Sequence, residues 1–106
     1  MNAPMIDPMA FRSVMGCFLT GVTIVTSGGE KGLTGLTANS FTSVSVKPCQ
    51  ILVCIKSESV TGATIRESGY FAVNLLAAGQ DELAWRFAKP SDDRFAGIDY
   101  RLDAHG

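Results

Sequence analysis

Two short runs restrict this chain more than anything else in it: Val22-Thr23-Ile24-Val25-Thr26 and Ile51-Leu52-Val53-Cys54-Ile55. Both are dense in β-branched residues, whose stiff side chains suit a pleated surface. The first is followed by Gly28-Gly29, a turn signal, with Gly32 just beyond. Leu33 to Phe41 then alternates loosely with threonines and small residues. This stretch is predicted as a second strand and hairpin partner of the first. Thr42 to Val46 is a short polar stretch with valines at every second position. Pro48 sits where a strand begins, a position that tolerates a missing N–H. Ile51 to Ile55 is almost uninterruptedly apolar, so the pattern predicts a strand buried on both faces. Tyr70 to Leu76 reads as a further strand.

Helices fill the gaps. Phe11, Val14, Met15 and Phe18 follow the i, i+3, i+4, i+7 spacing of an amphipathic helix. Asp7 is placed to cap it, with Pro8 at the first helical position. A short helix is expected after Ser57 to Ser59, running through Ile65 and Arg66 and stopping at Gly69. A third opens at Gly79, with Asp81 and Glu82 in its first turn and Arg86 and Lys89 in its last. That charge order matches the helix macrodipole, and Pro90 ends the element. The predicted order is helix, strand, strand, strand, helix, strand, helix. Hairpin neighbours early in the chain favour a mainly β fold, an antiparallel sheet or barrel with peripheral helices. A doubly wound nucleotide fold needs regular strand-helix alternation, which is missing.

At 106 residues the chain is expected to form a single domain, residues 1–106. Nine basic residues against ten acidic give a net charge of -1. This argues against non-specific nucleic-acid or membrane-surface binding, which draws on a basic excess. No apolar run approaches the ~20 residues of a membrane span. Met1 to Asp7 has no basic stretch followed by an apolar block, as a secretory signal would. Cys17, Cys49 and Cys54 have neither the even count of a disulfide framework nor a CxxC pair for zinc. They are expected as small buried hydrophobes in a reducing cytoplasm. Charged residues make up only 18%, which points to surface covered by a partner, such as a second copy.

The familiar catalytic constellations are missing. There is no Walker loop, no GxGxxG and no GxSxG elbow. The one histidine, His105, stands next to the end. Asp92-Asp93 beside Pro90 reads as a solvated turn. What remains is Thr37-Ala38-Asn39-Ser40-Phe41-Thr42-Ser43-Val44-Ser45, with three serines, two threonines and an asparagine in nine residues. Leaving a strand, such a run is either a polar strand edge or a neutral, multi-dentate site for a polar ring system or a phosphate. Lys56-Ser57-Glu58-Ser59-Val60-Thr61 is either a helix cap or a phosphate site at a helix N-terminus. Arg86-Phe87 either satisfies helix carbonyls or pairs with a phosphate.

In order and wording these segments resemble the flavin reductase-like family, the small reductase components of two-component flavin monooxygenases. The resemblance rests on Phe11-Arg12 with Met15-Gly16, on Thr20 through Thr26, and on Gly35 through Ser45. It continues through Ile51 to Ile55, Ser59 and Thr61, Ser68 through Leu76, Gln80, Leu83-Ala84 and Arg86-Phe87-Ala88. It covers roughly Phe11 to Gly97, and the Thr-Ala-Asn-Ser-Phe-Thr-Ser run is its most specific part. It implies a split β-barrel that binds FMN or FAD, usually as a homodimer with flavin near the interface. It implies oxidation of NADH or NADPH and release of reduced flavin to a partner oxygenase.

Carried over by position, Thr37, Ala38, Asn39 and Ser40 would line the isoalloxazine and ribityl region. Ser43, Val44 and Ser45 would continue that wall toward the phosphate. Cys54 and Ile55 would approach the ring, Ser59 and Thr61 would hold phosphate, and Arg86 and Phe87 would contact phosphate or adenylate. Hydride transfer between two stacked rings requires orientation rather than an acid, base or nucleophile, so no catalytic side chain and no metal is expected. Chains of the family normally continue well past Gly106. Their later part supplies further strands and a Gly-Asp-His-type segment associated with nicotinamide binding, in which His105 does not stand. An incomplete barrel with an unpaired edge is therefore expected. Besides a flavin reductase, the sequence is compatible with a flavin-binding module lacking turnover, or with a dimerising structural remnant.

Overall fold

A computed structural model describes residues 3–106. Its elements are α1 (Pro8–Met15), β1 (Thr23–Gly29), β2 (Gly32–Ala38), β3 (Phe41–Val46), β4 (Cys49–Val53), α2 (Val60–Ser68), β5 (Ala72–Leu75) and α3 (Asp81–Ala88). β1 pairs antiparallel with β2, from Thr23 opposite Ala38 to Gly29 opposite Gly32. On its other edge β1 pairs antiparallel with β5, giving the order β2-β1-β5. β3 and β4 form a separate two-stranded sheet with a register shift between Ser43 and Ser45. The fold is mainly β with three helices, as expected, and its two sheets do not close into a barrel.

The pairing register sorts side chains to two faces, since residues directly opposite share a face. Thr23, Val25 and Ser27 face α2 together with Leu36 and Thr34. Ile24 and Thr26 face α3 together with Thr37 and Gly35. β1 is therefore buried from both sides. Val25 has 0% exposure, and Ile24 and Phe87 complete the small apolar core. The polar atoms of this central strand are all engaged. Thr23 Oγ1 donates to the Ala38 carbonyl at 2.7 Å, and Ser27 Oγ donates to the Tyr70 carbonyl at 2.8 Å. A buried hydroxyl is tolerated only when so paired.

The strand expected to be buried on both faces is a different one. Ile51 and Leu52 are about half exposed, at 47% and 51%. Their apolar run lies on the β3–β4 hairpin, against which no other element of the described residues packs extensively. Continuous hydrophobicity reports a demand for cover, and here no layer meets it. Thr42 to Val46 belongs to β3, so the fold has one strand more than the sequence pattern showed, and Pro48 sits in the turn before β4. The apolar stripe of α1 is likewise exposed, from Phe11 to Met15. These uncovered elements account for a radius of gyration of 15.9 Å, against about 13 Å for a compact domain of this length.

The helix ends follow their capping chemistry. Asp7 accepts from the Ala10 N–H with Pro8 at the first helical position. Ser59 caps α2, and Gly69 closes it with φ of 80°, a left-handed conformation that favours glycine. In α3, Arg86 falls in the last turn while Lys89 is the C-cap.

Gly35 decides how α3 sits on the sheet. A Cβ there would stand 3.1 Å from Phe87 Cε1 and 3.2 Å from both Thr26 Cγ2 and the Val25 carbonyl oxygen. Two of these contacts belong to the sheet itself, so the added methyl displaces Phe87. Gly35→Ala is expected to lower stability by about 1–3 kcal/mol, the usual cost of overpacking. A thermal unfolding midpoint equal to that of the unsubstituted chain would show that α3 is not seated on this glycine.

Candidate functional site

A groove of about 1260 Å³ runs where the end of β2, the exit of β4, the start of α2 and the segment after α3 meet. It is larger than the roughly 300–1,000 Å³ of common ligand pockets, so an extended ligand fits better than a compact one. Thr37, Ala38, Asn39, Ser40, Cys54, Ile55, Ser59, Thr61 and Phe87 line it. Nine of the thirteen positions singled out in the sequence are thus brought together. Ser43, Val44 and Ser45 stand outside it on β3, and Arg86 does not line it.

The lining residues divide by what their polar atoms already do. Thr37 Oγ1 donates to the Ala84 carbonyl of α3. Ser40 Oγ donates to the Cys54 carbonyl at 2.9 Å, and the Cys54 N–H donates back to it at 3.2 Å. That pair ties the β2–β3 connection to the exit of β4, extending the β3–β4 pairing by one step. Ser59 Oγ accepts from the Gly62 N–H at 3.0 Å and donates to the Lys56 carbonyl at 2.7 Å, so it is a helix cap. Thr61 is 2% exposed, and its hydroxyl lies 2.8 Å from that of Thr34. Asn39 differs: it is exposed, and its side-chain amide makes no hydrogen bond among the described residues. Two donors and an acceptor remain available there.

Arg86 and Phe87 are engaged within the protein. Arg86 Nη2 donates to the carbonyls of Asp93 and Ala96. Phe87 is 3% exposed and meets Phe95 edge-on at a centroid distance of 5.1 Å. The sequence reading missed Lys31, Thr34 and Arg94, which also line the groove. The signal for Arg94 was the Pro90-Ser91-Asp92-Asp93 stretch, whose turn composition was read as solvated surface. No composition cue marked Lys31 or Thr34. Near the α2 start, the Glu58 carboxyl is held below its ordinary range, first by its own backbone N–H and then by the Ser57 hydroxyl. The groove is otherwise lined by neutral hydroxyls, one amide, apolar walls and the side chains of Lys31, Lys56, Arg94, Asp92 and Asp93. No group of three or more metal-ligating side chains occurs among the described residues.

The groove thus lies at the end of a strand, outside an antiparallel sheet, with hydroxyls from Thr37, Ser40, Ser59 and Thr61 and with charged side chains along its rim. Residues 15–106 match the model of the flavin reductase like domain, and the chain belongs to that family. It is 44% identical over 107 residues to a probable flavin reductase of Rhizobium meliloti, covering all of this chain and 34% of that protein. It is 40% identical over 96 residues to the flavin-dependent monooxygenase reductase subunit HsaB of Mycobacterium tuberculosis, covering 91% of this chain and 51% of that one. Among solved structures it is similar to the NADH:FAD oxidoreductase of Streptomyces globisporus in complex with NAD and FAD fragments. There the TM-score is 0.80 at 41% identity, over 96% of this chain and 63% of that one. The chain thus spans about a third to a half of the length of the curated relatives it matches.

The Thr34–Thr61 pair joins β2 to α2 beneath the groove. Thr61→Val keeps the shape and removes the hydroxyl, leaving the Thr34 hydroxyl without its partner. A loss of about 1 kcal/mol in chemical denaturation is expected. An unchanged midpoint would show that the pair adds nothing to the seating of α2.

Proposed function

We propose that this chain is the flavin-binding portion of an NAD(P)H:flavin oxidoreductase that supplies reduced FMN or FAD to a partner monooxygenase. The observation that carries this reading is the convergence of Thr37, Ala38, Asn39 and Ser40 with Cys54 and Ile55 on one groove, with an uncommitted amide at Asn39. The residues fit a flavin: a polar ring edge needs neutral donors, and the tricyclic ring needs apolar walls. The relatives, a probable flavin reductase and a flavin-dependent monooxygenase reductase subunit, support the activity and the type of partner. The structural relative with NAD and FAD fragments supports NADH as co-substrate.

Bound flavin would supply the hydride-accepting ring, and the protein's part is to hold and orient it beside the nicotinamide. The Asn39 amide is the side chain best placed to hydrogen-bond the ring or its ribityl chain. Thr37 and Ser40 contribute less directly, because their hydroxyls already bond to Ala84 and Cys54. Ser59 presents the α2 N-terminus, where the helix dipole favours a phosphate. Thr61 shapes the floor. No side chain acts as acid, base or nucleophile in this reading.

The chain acts as one flavin reductase-like unit and pairs as a homodimer. The uncovered apolar residues of α1 and of the β3–β4 hairpin support pairing, since such surface is normally buried against a partner. Ser43, Val44 and Ser45 would lie on that covered surface and reach flavin from there. Its three free thiols are exposed, not buried as the sequence suggested, because Cys17 follows the uncovered α1 and Cys49 and Cys54 lie on or beside the uncovered hairpin. A reducing cytoplasm suits them. A second reading, flavin binding without turnover, is favoured by the two sheets remaining open to one another.

Purified protein should accelerate NADH oxidation when FMN or FAD is added; flavin binding without acceleration selects the second reading, and no binding defeats both. Asn39→Ala should weaken flavin binding by about 1–3 kcal/mol in a fluorescence titration, because a buried ligand group loses its partner. Its unfolding midpoint should not move, since the amide has no partner in the protein. Unaltered affinity would remove Asn39 from the site.

A further inference from the structure

The groove has one wall with an unusual attachment. Pro90 to Phe95 lines its side beyond α3, with no regular secondary structure of its own. Arg94 belongs to this wall and uses three of its five N–H donors on backbone carbonyls. Nη1 donates to the Gly35 carbonyl at 2.6 Å. Nε and Nη2 both donate to the Lys89 carbonyl, at 3.1 and 2.7 Å. Gly35 lies in β2, an edge strand, so its carbonyl takes a side-chain donor in place of a neighbouring strand. Lys89 marks the end of α3. One planar guanidinium therefore spans the strand floor, the helix end and the wall.

We propose that Arg94 is a positioning residue that fixes this wall against β2, and so sets the width of the groove and its affinity for flavin. The proposal rests on the flavin-binding reading above. Arg86 secures the same wall from the other side, through the Asp93 and Ala96 carbonyls. Only Arg94 reaches the strand that carries Thr37 and leads into Asn39 and Ser40. A shift of the wall by one ångström would alter the contact with a planar ligand along its whole length. The fork geometry matters more than the charge, because both acceptors are neutral carbonyls at fixed positions. A lysine keeps the charge and cannot reproduce the fork.

The test compares Arg94→Lys and Arg94→Gln by fluorescence titration with FMN and with FAD, beside NADH oxidation at varied flavin and a thermal unfolding curve. Both variants are expected to bind flavin on the order of tenfold more weakly. KM for flavin should rise more than kcat falls. Full rescue by Arg94→Lys would overturn the proposal, since charge alone would then suffice. Affinity equal to that of the unsubstituted chain in either variant would also overturn it. So would a loss fully accounted for by the unfolded fraction at the assay temperature, which would leave Arg94 a purely structural role. Should the unsubstituted chain itself bind no flavin, the reading beneath the proposal falls, and the proposal with it.

Discussion

The organisation of this protein depends on one close approach, that of α3 to β2 at Gly35. Because no side chain stands there, the Phe87 ring packs directly on the strand, and the Gly35 carbonyl is open to Arg94. Two residues further along, Thr37 holds the Ala84 carbonyl, so α3 is fixed at two points of the same strand face. On the opposite face Thr34 holds Thr61 of α2. A single edge strand thus orients both helices. The groove is what remains between them where the strand ends. Its position is a consequence of packing, and its polarity follows from the residues the chain has as it leaves β2.

That arrangement explains why the hydroxyls of the site form no acid–base constellation. Its hydroxyls serve first as structural ties, joining strand to helix and loop to loop. Neutral ties of this kind hold geometry without building up a field, and they leave the Asn39 amide as a free donor and acceptor. A site of this type can orient a flat, polar ring and let it go again, as the proposed flavin transfer would require. The exposed hairpin and α1 belong to the same picture from the other side. Their apolar residues are in excess of what one small core can cover, and a neighbouring surface would be needed to bury them.

The hairpin of β1 and β2, the caps of α1 and α2 and the charge order of α3 were legible in the sequence because they depend on neighbours only a few residues away. The polar run from Thr37 to Ser45 was legible as well, and its first part, Thr37 to Ser40, lines the groove. Other features were not. Ile51 to Ile55 looked like the most buried strand, since hydrophobicity is a local property while cover is supplied by distant chain. The doubly buried strand is instead β1, whose Thr23 and Ser27 look too polar for that place until their acceptors, the carbonyls of Ala38 and Tyr70, are known. β3 was concealed although Val44 and Val46 alternate as in a strand, because the run is short, polar and broken by a register shift between Ser43 and Ser45.

The sequence by itself therefore determined every element type except β3, the family and the small set of residues able to meet a polar ligand. These follow from side-chain chemistry and short-range spacing. Only the tertiary structure decided which of them share a groove. It separated Ser43, Val44 and Ser45 from Thr37 to Ser40, turned Arg86 to the Asp93 and Ala96 carbonyls, and brought in Lys31, Thr34 and Arg94. The physical reason is that hydrogen bonds such as Arg94 to Gly35 join residues far apart in sequence. Nothing local to either residue encodes that partner; the packing of α3 against β2 supplies it.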